Sequence, residues 1–289
     1  MILNAAAGRG DRTDTAGRVT ELFATRGLAA EVTNVDDGVT VPDMARKAAG
    51  SGAAAVVAAG GDGTVQGVAA ALAGGQVPLG VLPMGTLNHF AKDMGLPLKL
   101  EDAIEVIANG NVKVTDVGEV NGRVFINNSS IGAYPSIVEL RDHYRKKGVG
   151  KWIAAAWASV VVLLRRPALG VRIESAEGVL VRRTPFVFIG NNEYHMSGLE
   201  AGSRGSLSGG HLAVYVAKVA RPRTLIRMAW LVLRKGVEQT PELDFISVRE
   251  ARVTTKQRDL QVALDGEVVT LPSPLSFRIL PGALRVLAP

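Results

Sequence analysis

Apolar positions along the chain follow two periods, and the change from one to the other near residue 112 divides the sequence. The first part alternates short apolar runs with stripes spaced i, i+3, i+4, i+7. In residues 53–72 a run of small and β-branched residues is cut off by Gly60, Gly61, Asp62, Gly63 and Thr64. An apolar stripe of Val65, Val68, Ala69 and Leu72 follows, closed by Gly74 and Gly75. That order predicts strand, tight loop and helix. Residues 2–4 open as a strand, a helix carrying Val19, Leu22 and Phe23 stops at Gly27, and residues 29–35 read as a second strand. Pro42 suits the first turn of a helix continuing through Met44, Ala45 and Ala48. A strand at 77–82 and a helix at 100–108 complete the series. Strands and helices alternating at this pitch predict an α/β domain with a parallel sheet, whose ligands bind beyond the carboxyl ends of the strands. The glycine loops all fall on that edge.

From Val112 the period becomes two. Residues 112–120 and 123–128, joined by Asn121-Gly122, predict a hairpin. The alternation continues at 171–173, 180–189, 212–219, 245–254, 260–264 and 275–279, which predicts a second, mainly antiparallel domain. Helical stretches at 141–166 and 221–235 interrupt it. Each has basic ends around an apolar centre with tryptophan: Trp152 and Trp157 in the first, Trp230 in the second. They read either as helices packed on a sheet with solvated ends or as a surface for anionic lipid headgroups.

Composition narrows the picture. The chain has 289 residues, 47% hydrophobic and 21% charged, as in an ordinary folded protein. It has no cysteine, which excludes disulfides and thiolate metal sites, and its 4 histidines show no zinc spacing. The start does not read as a signal peptide, and the most apolar window, 152–164, is well short of the roughly 20 residues that span a bilayer. A cytoplasmic protein, soluble or peripheral, is the expectation. Net charge of +6 favours an anionic partner.

A glycine-rich loop entering a helix leaves backbone N–H groups unpaired and aimed at one point, where the helix dipole adds positive charge, so a phosphate fits there. The spacing at 60–64 matches neither the dinucleotide nor the Walker motif, and glycine turns are common. Asp62 is a candidate for a metal bound to that phosphate, or for a polar network beside it. The loop at 82–90 holds Gly85, Thr86, Asn88 and His89 between apolar flanks, and on its own reads as a helix-capping turn with Thr86 or Asn88 as the cap. Asp265-Gly266 on its own reads as a type I′ hairpin turn.

Taken together, Gly60-Gly-Asp-Gly-Thr64, Pro83-Met-Gly-Thr-Leu-Asn88 and Leu264-Asp-Gly-Glu267 resemble the diacylglycerol kinase catalytic-domain family of bacterial lipid kinases, to which sphingosine and ceramide kinases are related. The resemblance runs the length of the chain. It implies a nucleotide-binding α/β domain at 1–111, a β-sandwich lipid-substrate domain at 112–280, and a last segment, 281–289, returning to the first domain. ATP would lie in the cleft. Asn4, Ala5, Ala6, Ala7 and Gly8 resemble the first nucleotide loop, although Ala5 and Ala7 stand where Pro and Ser are usual. Gly60, Gly61, Asp62, Gly63, Thr64, Val65 and Gln66 resemble the phosphate loop. Gly85, Thr86 and Asn88 resemble the third loop, and Thr33 the threonine ending the second strand. Asp265 resembles the catalytic base and Glu267 its acidic neighbour, with Asp62 organising a catalytic Mg²⁺. His89 departs from the family, which often has Asp there, and a cationic His89 side chain is expected to pair with Asp62. Ser208-Gly209-Gly210-His211 stands where many members carry an aspartate of a structural magnesium site, so that metal is not expected.

The resemblance implies an ATP- and Mg²⁺-dependent lipid kinase, with diacylglycerol as acceptor and an anionic inner membrane surface as partner. It implies no nucleic acid and leaves a homodimer open. The alternatives are a ceramide or sphingoid-base kinase, an NAD kinase, or a catalytically weak lipid-binding module.

Overall fold

The computed structural model describes residues 1–4, 12–35, 39–146, 150, 157, 168–195, 203–218 and 243–289. The chain forms two compact units, residues 1–117 with 280–289, and residues 118–279.

The first unit begins β1 (Ile2–Leu3), α1 (Arg12–Ala24), β2 (Thr33–Asn34) and α2 (Val41–Gly50), followed by β3 (Val56–Gly60), α3 (Asp62–Leu72) and β4 (Leu79–Pro83). Then come α4 (His89–Asp93), α5 (Leu100–Asn109) and the start of β5 (Val112–Val120). β2, β1, β3 and β4 pair in that order, all parallel, and Val286 near the end of the chain pairs in parallel with Leu79 of β4. Every residue of β3 and β4 is buried, because helices cover a parallel sheet on both faces. On one face Val19, Phe23, Ala103, Ile104 and Ile107 pack on Leu3, Val57, Ala59 and Leu82. The expected strand at 29–35 shrinks to the two residues of β2, since β1 offers only two partners.

The second unit holds β6 (Arg123–Phe125), β7 (Asn128–Gly132), α6 (Ala133–Lys146), β8 (Leu169–Ser175), β9 (Gly178–Thr184) and β10 (Phe186–Asn191). It continues through β11 (Tyr194–His195), β12 (Ser203–Arg204), β13 (Leu212–Ala217), β14 (Leu243–Val248), β15 (Glu250–Thr255), β16 (Asp259–Leu264), β17 (Glu267–Pro272) and the start of β18 (Leu275–Leu287). One antiparallel sheet runs β14-β13-β10-β7-β16-β17. Within this unit the start of β18, β15, β8 and β9 form the other. Ile131, Val187, Ile189, Val214 and Val262 from the first meet Val171, Ile173, Val253, Leu275 and Phe277 from the second, which makes a β-sandwich.

Two runs expected as single strands are broken. Pro185, with no N–H to donate, separates β9 from β10, and Arg249 separates β14 from β15; in each case the chain changes sheet there. Alternation continues through such a crossing because both sheets face the same core. β17 was not expected, and α6 starts at Ala133 rather than at 141. Most of the basic stretch at 141–166, Trp152 included, and all of that at 221–235 lie outside the described residues. No described helix is long and apolar enough to cross a membrane.

Candidate active site

In the first unit the parallel strands bring two glycine loops together. β3 ends in Gly60, and Gly61, extended at φ −85° and ψ −176°, is the N-cap of α3. A Cβ on Gly60 would sit 2.6 Å from Thr64 Oγ1, and one on Gly85 would sit 2.7 Å from Gly61 Cα, so both positions exclude a side chain. The Met84 N–H donates to Gly60 O (2.9 Å), which ties the third loop to the second. Asn4, at the end of β1, donates through Nδ2 to Thr64 Oγ1 (3.2 Å). The N–H groups of Thr64 and Val65 both reach back to Gly61 O, whereas those of Asp62 and Gly63 find no partner among the described residues. Two unclaimed N–H groups at the start of an α-helix suit a phosphate oxygen. Val65 is corrected to a core residue, because its side chain is buried and its N–H already bonded. Thr64 is buried too and supports the loop from beneath. Thr33 and Thr86 are exposed and Gln66 is half-buried, while Ala5, Ala6, Ala7 and Gly8 lie outside the described residues.

Asp62 is the clamp between these loops. Its Oδ2 accepts from the Asn88 N–H (3.1 Å) and its Oδ1 from the His89 N–H (2.8 Å), so it caps α4. Asn88, at φ +51°, closes its own turn by bonding both N–H and C=O of Gly85. Neither Thr86 nor Asn88 caps α4 with its side chain. The expected pairing of Asp62 with a His89 imidazole is also corrected: the contact is through the His89 backbone, and the side chain is exposed. Among the described residues no three potential metal ligands cluster. A Mg²⁺ held mainly by phosphate oxygens and water needs only one or two carboxylates, and each Asp62 oxygen keeps a lone pair, so this site fits such an ion.

In the second unit Asp265 and Gly266, at φ 48° and 91°, make a two-residue turn between β16 and β17. The backbone is the type I′ hairpin. The carboxylate does more than a turn requires: Oδ2 accepts from the Ile126 N–H (2.8 Å), and Oδ1 from those of Asn127 (2.7 Å) and Asn128 (3.0 Å). Burial pushes its pKa up to about 6, opposed by these bonds and by the Arg204 guanidinium. Three of roughly four lone-pair sites are used, leaving one for a substrate proton. Glu267 is exposed at the head of β17. The His211 ring, in the Ser208-Gly209-Gly210-His211 turn, contacts Gly209 O through Nδ1 (3.0 Å). An open groove of about 950 Å³ beside His211, Glu174 and Arg252 includes none of the candidate residues. Sequence reading missed Asn127, Asn128, Asn191 and Arg204, because their bonds to the Asp265 network join segments far apart in the chain.

The diacylglycerol kinase catalytic domain family matches residues 1–120, and the YegS C-terminal NAD kinase beta sandwich-like domain family matches residues 146–288. A Pseudomonas aeruginosa protein named "Probable lipid kinase YegS-like" is 30% identical over 281 residues, covering 92% of this chain and 86% of its own. A diacylglycerol kinase of Staphylococcus epidermidis is 27% identical, covering 73% and 67%. In fold, the crystal structure of a diacylglycerol kinase from Bacillus anthracis superposes with a TM-score of 0.73 at 19% identity, covering 100% of this chain and 95% of that one. Paired glycine loops on a parallel sheet, a hairpin carboxylate in a β-sandwich and full-length likeness to lipid kinases converge: the chain belongs to the diacylglycerol kinase catalytic-domain family.

Proposed function

We propose that the protein transfers the γ-phosphoryl group of ATP to a lipid hydroxyl, with diacylglycerol as acceptor and phosphatidic acid as product. The observation that carries the reading is the Asp265 carboxylate, ordered by three backbone N–H groups and titrating near 6, so that it is ionised at neutral pH and basic enough to take a proton. The unclaimed N–H groups of Asp62 and Gly63 hold phosphate oxygens, with Asn4, Gly60, Gly61 and Gly85 keeping the loops close enough to do so. Asp62 would hold Mg²⁺, which neutralises charge on the transferring phosphate. The lipid oxygen forms a bond to the γ-phosphorus, the bond to the bridging oxygen breaks, ADP leaves, and the hydroxyl proton passes to Asp265. Such chemistry is mostly positioning and charge neutralisation, so it needs few side chains. Glu267 is exposed two residues after the base in the same hairpin. The relatives named as diacylglycerol kinases support the choice of acceptor.

The test is purified protein with labelled ATP and Mg²⁺ against diacylglycerol, monoacylglycerol, ceramide, sphingoid base and NAD. Label in phosphatidic acid is the expected result. Label in NADP or ceramide phosphate alone would replace the acceptor, and label in none would favour a lipid-binding module.

A further inference from the structure

The guanidinium of Arg204 is buried, and it bonds the segment that holds Asp265 through both terminal nitrogens. Nη1 donates to Ile126 O (2.6 Å) and Asn191 O (3.3 Å), and Nη2 to Asn127 Oδ1 (2.8 Å). Asn191 Nδ2 donates to the same Ile126 O (2.9 Å), and the Asn191 N–H to Asn127 O (2.8 Å). The cation also lies 5.6 Å from the Tyr194 ring centroid, and the Tyr194 hydroxyl accepts from Asn128 Nδ2 (3.4 Å). Ile126 O and the Asn127 N–H belong to one peptide group. A cation on its oxygen polarises that peptide and strengthens its N–H as a donor, here to Asp265 Oδ1 at 2.7 Å.

We infer that Arg204 is a positioning residue for Asp265, acting through the Ile126–Asn127 peptide to hold the carboxylate in place and favour its ionised form. The inference rests on the reading of Asp265 as proton acceptor. Other charged groups on the surrounding elements are Glu267 in the hairpin, Glu193 after β10, and Glu139, Arg141 and His143 on α6, which packs on β7, β16 and β17. None of them bonds the Asp265 carboxylate, whose bonds are those to residues 126–128.

The test is the pH profile of kcat/KM for wild type, Arg204→Gln and Arg204→Lys, with Asp265→Asn as reference. Removing a nearby opposite charge raises a carboxyl pKa, so in Arg204→Gln the acid limb should move alkaline by about one unit. Activity then falls several-fold at pH 6 and little at pH 8. Arg204→Lys, which keeps the charge, should restore most of the limb. A folded Arg204→Gln variant whose limb has not moved, or which loses activity equally at all pH, overturns the inference. A measurement on the wild type decides if that variant does not fold. Carboxyl ¹³C, Asn127 amide and Arg204 guanidinium resonances should titrate together, and a flat Arg204 signal while Asp265 titrates also overturns it. If wild type shows no acid limb and Asp265→Asn keeps full activity, the proton-acceptor reading fails instead, and the resonances still report whether Arg204 holds the carboxylate.

Discussion

Asp265 binds three N–H groups with one side chain, so the contacts that order it also offset part of the rise in proton affinity that burial causes. Asparagine can accept only through its carbonyl oxygen and turns an NH₂ toward the remaining donor. Asp265→Asn should therefore lose about 1–3 kcal/mol, the cost of a buried unsatisfied donor, as well as turnover by roughly 10²- to 10⁴-fold. Urea unfolding and steady-state transfer read the two losses separately. The pH dependence has a definite sign. The folded pKa of about 6 lies above the ordinary value of 3.8, so the folded state binds the proton more tightly between them. That contribution to stability is fully present below the ordinary value and is lost as pH rises through about 6. Asparagine lacks it, so the gap between wild type and variant should narrow from pH 4.5 to pH 7. The sequence makes Asp265 readable as a turn residue and, by resemblance, as a base. It could not reveal the three N–H groups on the carboxylate, since those partners lie some 138 positions away.

Among the elements of the first unit, the proposed phosphate site depends on how closely two loops approach. Gly85→Ala would bring a Cβ within 2.7 Å of Gly61 Cα, and backbone cannot yield as a side-chain tip can. Overpacking of this kind costs about 1–3 kcal/mol, so urea unfolding should show a loss of that size, and ATP affinity measured by calorimetry should fall as the loops are forced apart. Asp62→Ala removes the cap of α4 and should lower stability by about 0.5–2 kcal/mol in thermal or urea unfolding. His89→Ala should leave that cap intact, because His89 contributes its backbone N–H, and the variant's melting temperature should match wild type. The strand-loop-helix at 56–72 was legible because apolar run, glycines and stripe all lie in one local stretch. The cap was not: its acceptor and donors are 26 and 27 residues apart, and residue type alone pointed to Thr86 or Asn88.

For the whole molecule, the switch from helical to alternating period announced an α/β part followed by an antiparallel one, because each period reflects which faces are buried. Alternation does not say which sheet a strand joins, so the crossings at Pro185 and Arg249 were hidden. Net charge of +6 predicts salt-sensitive attraction to anionic lipid, at about 1 kcal/mol for each Lys or Arg near the surface. Cosedimentation with vesicles should rise with anionic lipid content and fall with salt; equal binding to neutral vesicles would contradict this. Phosphoryl transfer to a lipid with Asp265 as proton acceptor is tested by following label from ATP into diacylglycerol for wild type and Asp265→Asn, each first shown to be folded and to bind ATP. Labelled phosphatidic acid is expected from the wild type and at least about 100-fold less from the variant. Equal transfer by both proteins, or no transfer to lipid by the wild type, would contradict it.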